Sequence, residues 1–212
     1  MIKSDFKEWT LDGIDEAFRM EQVAKLPSLE ALLAFEYQAN DFEERYLKII
    51  RDSYFLGGED WNEAELENKI ISPIFVFSGI SSKEFSYFLE RNLETTINEY
   101  ELSGRVDGMI ASGFRNPKMP YFCMNEYKKE TDPNGDPKGQ ALIAMLTAQK
   151  LNDDEYPIFG CYIVGRMWVF MALEGKKYAL SEAFTVDNND IFEIYRILKS
   201  LKFHIEQRIK LK

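Results

Sequence analysis

Two charged side chains in the second half of the sequence are spaced for chemistry rather than for packing. The run YFCMNEYKKE begins apolar and ends in charge, with Glu126 and Lys128 two residues apart. Side chains alternate across a β-strand, so this acid and this base share one face while Tyr127 points to the other. Burying such charges is costly unless they are paired or bound to an ion. The end of this predicted strand is therefore a candidate site.

Two further carboxylates are candidates to join that pair. Asp107 stands in the strand-like run SGRVDGMI, where Gly104 and Gly108 would let another backbone or a ligand approach closely. Glu63 opens a predicted helix whose isoleucines recur at helical spacing, so its carboxylate can share the inward face of that helix. We therefore expect Asp107, Glu126 and Glu63 to meet in the folded chain.

Three carboxylates brought together would repel one another unless a cation neutralised them. Oxygen ligands without a neighbouring Cys or His favour Mg²⁺ or Mn²⁺ over zinc. An ammonium group at Lys128 is useful in such a site if negative charge develops there, as it does in phosphodiester cleavage. The set therefore predicts metal-assisted hydrolysis.

The order of these residues resembles the PD-(D/E)XK nuclease superfamily. GRVD is followed by EYK, nineteen residues beyond the aspartate, and then by Gln140 at the start of a helix. NEAELENKIISPIF resembles the leading helix of that superfamily. GQALIAMLTAQKLN, PIFGCYIVGRMWVF and EGKKYALSEAF resemble the nuclease domains at the front of type I restriction subunits and in small bacterial relatives. The resemblance covers Trp61 to Phe184, and it departs from the family pattern at Val106, where the family has proline.

The resemblance implies a Mg²⁺- or Mn²⁺-dependent nuclease that hydrolyses phosphodiester bonds, most expectedly in DNA. Asp107 and Glu126 would bind the metal, together with the Tyr127 carbonyl and with Glu63 through water. Lys128 would orient or activate the attacking water and stabilise the transition state. A restriction-endonuclease-like fold is the corresponding expectation for the chain.

Contacts to the substrate can be assigned in the same way. Gln140, at a helix N-terminus, would hold the catalytic lysine, a metal-bound water or a phosphate. Arg105, Lys129 and Lys138 are candidate contacts to the nucleic-acid backbone, as is the basic last helix, and such contacts would make binding salt-dependent.

Each candidate residue also has a purely structural interpretation. The acid and base of EYK would be a same-face ion pair of small energetic value if they were exposed. The remaining structural roles are helix capping for Glu63, a solvated helix position for Glu67, a turn for Asp107 and a helix start for Gln140.

The elements that would position these residues predict a mixed α/β (α+β) fold. Residues 1–58 predict an acidic helical appendage that ends at Gly57 and Gly58, and residues 59–212 predict the nuclease-like domain, a central mixed sheet flanked by helices. The leading helix would be capped by Asp60 with Glu63 completing a capping box, and Pro73 should kink or shorten it. Two long strands should flank Asn98, and a basic amphipathic helix should close the chain.

Charge is unevenly distributed along the chain. The net charge is −10, and residues 1–60 hold 7 Lys and Arg against 14 Asp and Glu. The acidity of the whole chain argues against nucleic-acid binding, but its concentration at the front weakens that objection. The acidic N-terminal helices are a candidate contact surface for a protein partner. The alternative function is accordingly a catalytically silent nucleic-acid-binding or assembly module of the same fold.

Other functional classes lack support in the sequence. The single histidine, His204, and the absence of a Ser or Cys elbow argue against a catalytic triad, and no GxxxxGK[ST] is present for an ATP-driven motor. No apolar run approaches the roughly 20 residues of a membrane span, and the first residues lack a secretory pattern. Cys123 and Cys161 predict two buried thiols in a reducing compartment, hence a cytoplasmic protein.

Overall fold

The computed structural model describes residues 1–131 and 133–211, and within them nine strands form one mixed sheet flanked by helices. The strand order is β1-β4-β5-β6-β7-β8-β2, with β3 beside β4 and β9 beside β7. The strands are β1 (Ile2–Asp5), β2 (Glu21–Gln22), β3 (Phe85–Ile97), β4 (Tyr100–Ser112), β5 (Lys118–Lys128), β6 (Ile158–Val164), β7 (Met167–Glu174), β8 (Lys177–Leu180) and β9 (Phe184–Thr185). The helices are α1 (Leu11–Phe18), α2 (Pro27–Leu33), α3 (Asp41–Tyr54), α4 (Glu63–Leu66), α5 (Ser72–Ser78), α6 (Pro137–Asn152) and α7 (Asp190–Lys210). The predicted mixed α+β class is confirmed.

The central strands follow from local signals in the sequence. β3 and β4 form a long antiparallel hairpin whose turn contains Asn98 at φ 56°, a left-handed conformation that asparagine tolerates. β5 pairs antiparallel with β4 and parallel with β6, because α6 crosses between β5 and β6. Gly175 turns β7 into β8 at φ 58°, a left-handed conformation that glycine adopts without strain. The sheet therefore presents β4, β5 and β6 side by side at its centre.

Each face of the sheet carries its own hydrophobic core. The first core lies under α2, α3, α5 and α7 and includes Leu47, Phe75 and Trp168. The second core lies under α1 and α6 and includes Phe18 and Met145. Both predicted thiols, Cys123 and Cys161, are buried and unbridged. Helices on both faces leave the strand ends as the places where polar side chains can reach solvent.

The first 58 residues are more closely integrated than the predicted appendage. β1 pairs in parallel with β4, and β2 pairs in parallel with β8, so this segment supplies two strands to the common sheet. Phe6 and Trp9 enter the second core, while Leu47 and Tyr54 enter the first. The physical reason is burial, since the apolar faces of α1 and α3 need the sheet and its helices to exclude water.

The leading helix differs in detail from its prediction. Asn62, not Asp60, is the N-cap, and Glu65 rather than Glu63 completes the capping box. Residues Glu67–Ile71 form a π-helical turn between α4 and α5, in which the Ser72 N–H donates to the Glu67 carbonyl. The helical path continues through Pro73 to Ser78, and the π-helical turn, where the regular hydrogen-bond pattern is already interrupted, lies directly before the proline.

The cations of α7 are largely engaged within the protein, contrary to the expectation of a free basic helix. Arg196 donates to the carbonyls of Leu33 and Phe35, at 2.7 and 2.6 Å. Lys199 pairs with Glu43 at 3.4 Å, and Arg208 pairs with Asp154 at 2.6 Å. None of the helices in the described ranges is both long enough and apolar enough to cross a bilayer.

Candidate active site on strands β4 and β5

Glu126 and Lys128 form a buried ion pair near the C-terminal end of β5. The Lys128 ammonium donates to Glu126 Oε1 at 2.6 Å, and their side chains are only 12% and 9% exposed. Tyr127 between them packs in the first core, whereas Met124, two residues before Glu126, packs in the second. Strand alternation therefore places the acid and the base on the same face, and their burial removes the interpretation of an exposed pair of little value.

Asp107 lies on β4 beside this pair. The ladder between β4 and β5 ends at Gly108 opposite Asn125, and beyond that pair the Tyr127 N–H donates to Asp107 Oδ2 at 2.7 Å. Where the two strands separate, the Asp107 side chain thus accepts the hydrogen bond from the Tyr127 N–H that a backbone carbonyl would otherwise accept. Asp107 is a strand residue with a defined partner, so the turn interpretation does not apply.

A backbone irregularity lies directly across β4 from Asp107. Glu90 of β3 has φ 52°, and it stands opposite Asp107 because its neighbours Leu89 and Arg91 pair with Gly108 and Val106. A left-handed φ inside a strand costs free energy for a residue with a side chain, and such strain concentrates at functional sites. The strand alternation shifts by one residue here on both strands, because Val106 and Met109 of β4 both pack in the second core, as do Phe88 and Leu93 of β3.

The electrostatics of the site favour the binding of a cation. Burial raises the pKa of Glu126 to about 7, and the Asp107 carboxylate adds to the shift while Lys128 opposes it. Burial also raises the pKa of Asp107, against the Tyr127 N–H and the Lys128 ammonium. Burial alone would lower the pKa of Lys128, but the Glu126 carboxylate outweighs it and the pKa is raised. Two carboxylates therefore share one ammonium, and a further positive charge would stabilise both ionised forms.

The leading helix contributes two more acids at longer range. Glu63 is exposed at the start of α4, and its charge acts on Asp107, Glu126 and Lys128, raising the pKa of each. Glu67 is half-buried at the start of the π-helical turn. Burial raises the pKa of Glu67, and the Glu90 and Asp107 carboxylates raise it further. Glu67 is therefore close enough to the site to interact with its carboxylates, whereas the sequence favoured a solvated helix position for it.

The remaining predicted residues surround the site at different depths. Gln140 is buried in the first turns of α6, with its amide against Gly135. Lys138 is exposed, and its ammonium lies 5.9 Å from the ring centroid of Tyr162, the strand partner of Glu126. Arg105 is half-exposed and paired with Glu90, and Lys129 is half-buried after β5. Lys138 thus lies over the strand partner of Glu126, and Arg105 is connected to the site by its ion pair with Glu90.

The glycines around Asp107 serve the protein's own side chains. A Cβ at Gly104 would collide with the Phe6 ring, and a Cβ at Gly108 would collide with the hydroxyls of Tyr127 and Tyr87, which contact each other. Gly104 and Gly108 were predicted to admit a backbone or a ligand. The space beside these glycines is instead filled by aromatic side chains, from Phe6 just after β1, from Tyr87 on β3 and from Tyr127 on β5.

Sequence reasoning missed Glu90, although a signal for it existed. Counting outward from the hairpin turn pairs Ile97 with Tyr100 and brings Glu90 opposite Asp107 seven residues further on. Its positive φ had no signal, because glutamate is not a residue type that indicates left-handed backbone. The register of a hairpin is therefore informative about charge clusters even when no motif covers both strands.

The donor set suits a hard cation that keeps part of its water. Within residues 1–131 and 133–211, no three Asp, Glu, His or Cys side chains gather into a group that could by itself hold a metal ion, so Glu63 does not join Asp107 and Glu126 in one ligand group as predicted. Mg²⁺ is commonly bound through one or two carboxylates plus water and substrate phosphates rather than by an all-protein cage. Asp107 and Glu126, with their raised pKa values and shared ammonium, fit that second kind of site.

Comparison with known proteins adds no family to this geometry. Neither the protein-family models nor the curated proteins contain a match to this chain.

Proposed function

We propose that this protein is a Mg²⁺-dependent phosphodiester hydrolase that acts on DNA, with a restriction-endonuclease-like arrangement of the PD-(D/E)XK kind. The observation that carries the proposal is the buried Glu126–Lys128 pair, with Asp107 bonded to the intervening Tyr127 N–H. A purely structural ion pair would not need a second buried carboxylate raising the pKa of the first.

Asp107 and Glu126 are the residues that would hold the ion, with the Tyr127 carbonyl and a water on Glu63 completing the protein's share. When bound, Mg²⁺ would polarise a phosphoryl oxygen and lower the pKa of a water. In the hydrolysis, the water oxygen bonds to phosphorus and gives up one proton to the surrounding water, the bond from phosphorus to the leaving oxygen breaks, and that oxygen takes up a proton from the surrounding water, so that no proton is gained or lost overall.

Lys128 has a narrower role than the resemblance alone allowed. Its raised pKa keeps the side chain an ammonium at neutral pH, so it stabilises the negative charge on the phosphoryl oxygens rather than removing a proton from water. The 2.6 Å bond to Glu126 holds that ammonium on the face of the site. Lys138 and Arg105 would contact the backbone of the substrate, and Gln140 would position a phosphate or the lysine.

Nicking of supercoiled plasmid DNA tests the proposal directly, with single-stranded DNA and RNA of matched sequence as further substrates. Wild-type protein should nick the plasmid with Mg²⁺ or Mn²⁺ and stop when EDTA is added. Lys128→Ala should lower the rate by about 100-fold or more, because a preorganised charge at the transition state is lost.

Lys199→Ala is the matched control, since Lys199 is another half-buried, ion-paired lysine but lies on α7 with Glu43. Its nicking rate should stay near that of the wild type when both proteins are folded. Wild-type protein that binds DNA but never cleaves it would favour the silent module instead, and equal loss in both lysine variants would remove Lys128 from the chemistry.

A further inference from the structure

A separate cavity lies on the other face of the sheet, at the opposite ends of β5 and β6 from Glu126. It encloses about 220 Å³ between the first residues of β6 and the last turns of α7. Its walls include Phe122, Phe159 and Ile205, all members of the first core. A largely apolar cavity with a few polar groups is the usual form of a small-molecule site.

Two hydrogen-bond donors in the wall of this cavity lack a partner within the described ranges. Arg208 is only 6% exposed, and its Nε is buried without a hydrogen bond, although Nη2 donates to Asp154 at 2.6 Å. The hydroxyl of Ser28, also in the wall, is buried without a partner. Buried donors are normally satisfied, so two unsatisfied donors in one cavity wall indicate an acceptor supplied from outside the chain.

The charge and size of the cavity narrow the chemistry of that acceptor. Arg208 is the only Lys, Arg, Asp or Glu among the lining residues of the described cavity, and Asp154, which balances its charge, is bonded to Nη2 and leaves Nε without a partner. Its guanidinium lies over the rings of Phe122 and Tyr156, at 5.3 and 4.7 Å from their centroids, which holds it in place. An apolar cavity of ~150 Å³ is enough for a benzene ring, so 220 Å³ leaves space for a ring and a small polar group.

We propose that this cavity binds a small monocarboxylate with an apolar body, its carboxylate accepting from the Arg208 Nε–H and the Ser28 hydroxyl and its body packing on Phe122 and Phe159. The site is independent of the proposed hydrolase. Aromatic and aliphatic acids share this chemistry, and the titration below distinguishes them.

Ligand-observed NMR titration of the full chain with benzoate, hexanoate and the neutral benzyl alcohol tests the site. At least one of the two acids should bind with a Kd at or below about 1 mM, a modest affinity for a ligand of this size, and at least about tenfold more tightly than benzyl alcohol. Arg208→Lys keeps a charge for Asp154 but removes the Nε–H, so acid binding should weaken about tenfold while benzyl alcohol changes less than about twofold.

Arg196→Lys is the matched control on the same helix, because Arg196 bonds the Leu33 and Phe35 carbonyls and does not line the cavity. It should leave acid binding unchanged. Ser28→Ala gives a second measurement if Arg208→Lys does not fold, and it should weaken acid binding about threefold or more. Acids that bind no better than benzyl alcohol, or that bind Arg208→Lys or Ser28→Ala as they bind the wild type, would overturn the proposal.

Discussion

Two buried glutamates, Glu43 and Glu126, have nearly the same exposure and opposite electrostatic fates. They are 8% and 7% exposed, yet the pKa of Glu43 falls to about 2 while that of Glu126 rises to about 7. Burial acts in the same direction on both, since it favours the neutral acid. The difference therefore lies in the donors that surround each carboxylate.

The Glu43 carboxylate accepts hydrogen bonds from several donors and also pairs with a lysine. Burial by itself would raise its pKa, but hydrogen bonds from Tyr37, the Asn40 N–H and Tyr195, with the charge of Lys199, reverse the shift. The Tyr37 hydroxyl lies 2.7 Å from Oε1, the Tyr195 hydroxyl lies at the same distance, and the Asn40 N–H lies 3.0 Å from Oε2. These bonds tie α3 to α7, which is a structural task.

Glu126 has one donor and one competitor. Lys128 bonds a single oxygen, while Asp107 stands close enough to raise the pKa of Glu126. A carboxylate that is buried, incompletely bonded and next to a second acid is stabilised by a cation from outside. Comparison of the two residues thus distinguishes an acid whose charge is compensated within the fold from an acid whose charge is only partly compensated, and the proposed metal would compensate the second.

The largest expected effect is on catalysis. Glu126→Gln removes a charge that the proposed metal needs, so the Mg²⁺-dependent nicking rate should fall by roughly 100-fold or more. Glu43→Gln should leave the rate of the folded protein within about threefold of the wild type, because its network joins α3 to α7 and not to the site. Plasmid nicking at matched folded protein concentration checks both. A Glu43→Gln loss as large as that of Glu126→Gln would erase the distinction.

How much of this comparison is visible in sequence depends on what the residues pair with. Glu126 could be predicted because a strand alternates and because EYK follows an apolar run, so one local pattern fixes both the face and the neighbour. Glu43 could not, because its partners are Tyr37 in the loop between α2 and α3 and Tyr195 and Lys199 on α7, and nothing in a helix rich in acids marks one of them as buried.

The same distinction between local and distant signals explains the fold. The hairpin around Asn98 and the helix that carries Gln140 have local signals and were predicted. β1 and β2 were missed because strands of four and two residues show no alternation, and their parallel partners lie far along the chain. The π-helical turn that carries Glu67 was missed because no residue type indicates it.

The pH dependence of stability should differ in sign between the two glutamates. Glu126 has a folded pKa of about 7, above its ordinary value of 4.5, so folding favours its protonated form and stability is lost as pH rises from 4.5 through 7. Glu43 has a folded pKa of about 2, so its contribution is present above 4.5 and is lost as pH falls toward 2.

Urea unfolding of the two glutamine variants against the wild type, across pH 3 to 8 without divalent ions, measures these contributions. Relative to wild type, Glu126→Gln should gain stability as pH rises from about 4.5 to 7, while Glu43→Gln should lose stability as pH rises from about 3 to 4.5. Difference curves that are flat in both windows, or that slope the same way, would show that the two carboxylates have similar environments.

The smallest expected effect concerns Glu90. It tests whether the group of incompletely compensated carboxylates extends from Asp107 and Glu126 to β3. Glu90 faces Asp107 across the hairpin, is paired with Arg105 and raises the pKa of Asp107. Glu90→Gln removes one negative charge near the proposed Mg²⁺ site and frees Arg105, and both changes disfavour a cation. At pH 8 the half-saturating Mg²⁺ concentration should rise by roughly two- to fivefold, since an exposed charge acts through screened water.

Thermal unfolding at increasing Mg²⁺ concentrations measures that shift. Glu44→Gln is the control, because Glu44 is an exposed, lysine-paired acid on α3 and should leave Mg²⁺ binding unchanged. Glutamine keeps the length and the polarity of the side chain at position 90, so the unusual φ of 52° is equally demanding in both proteins and any difference reports charge. If Mg²⁺ bound Glu90→Gln as tightly as the wild type, the charge of Glu90 would not contribute to Mg²⁺ affinity. The incompletely compensated carboxylates would then be confined to β4 and β5.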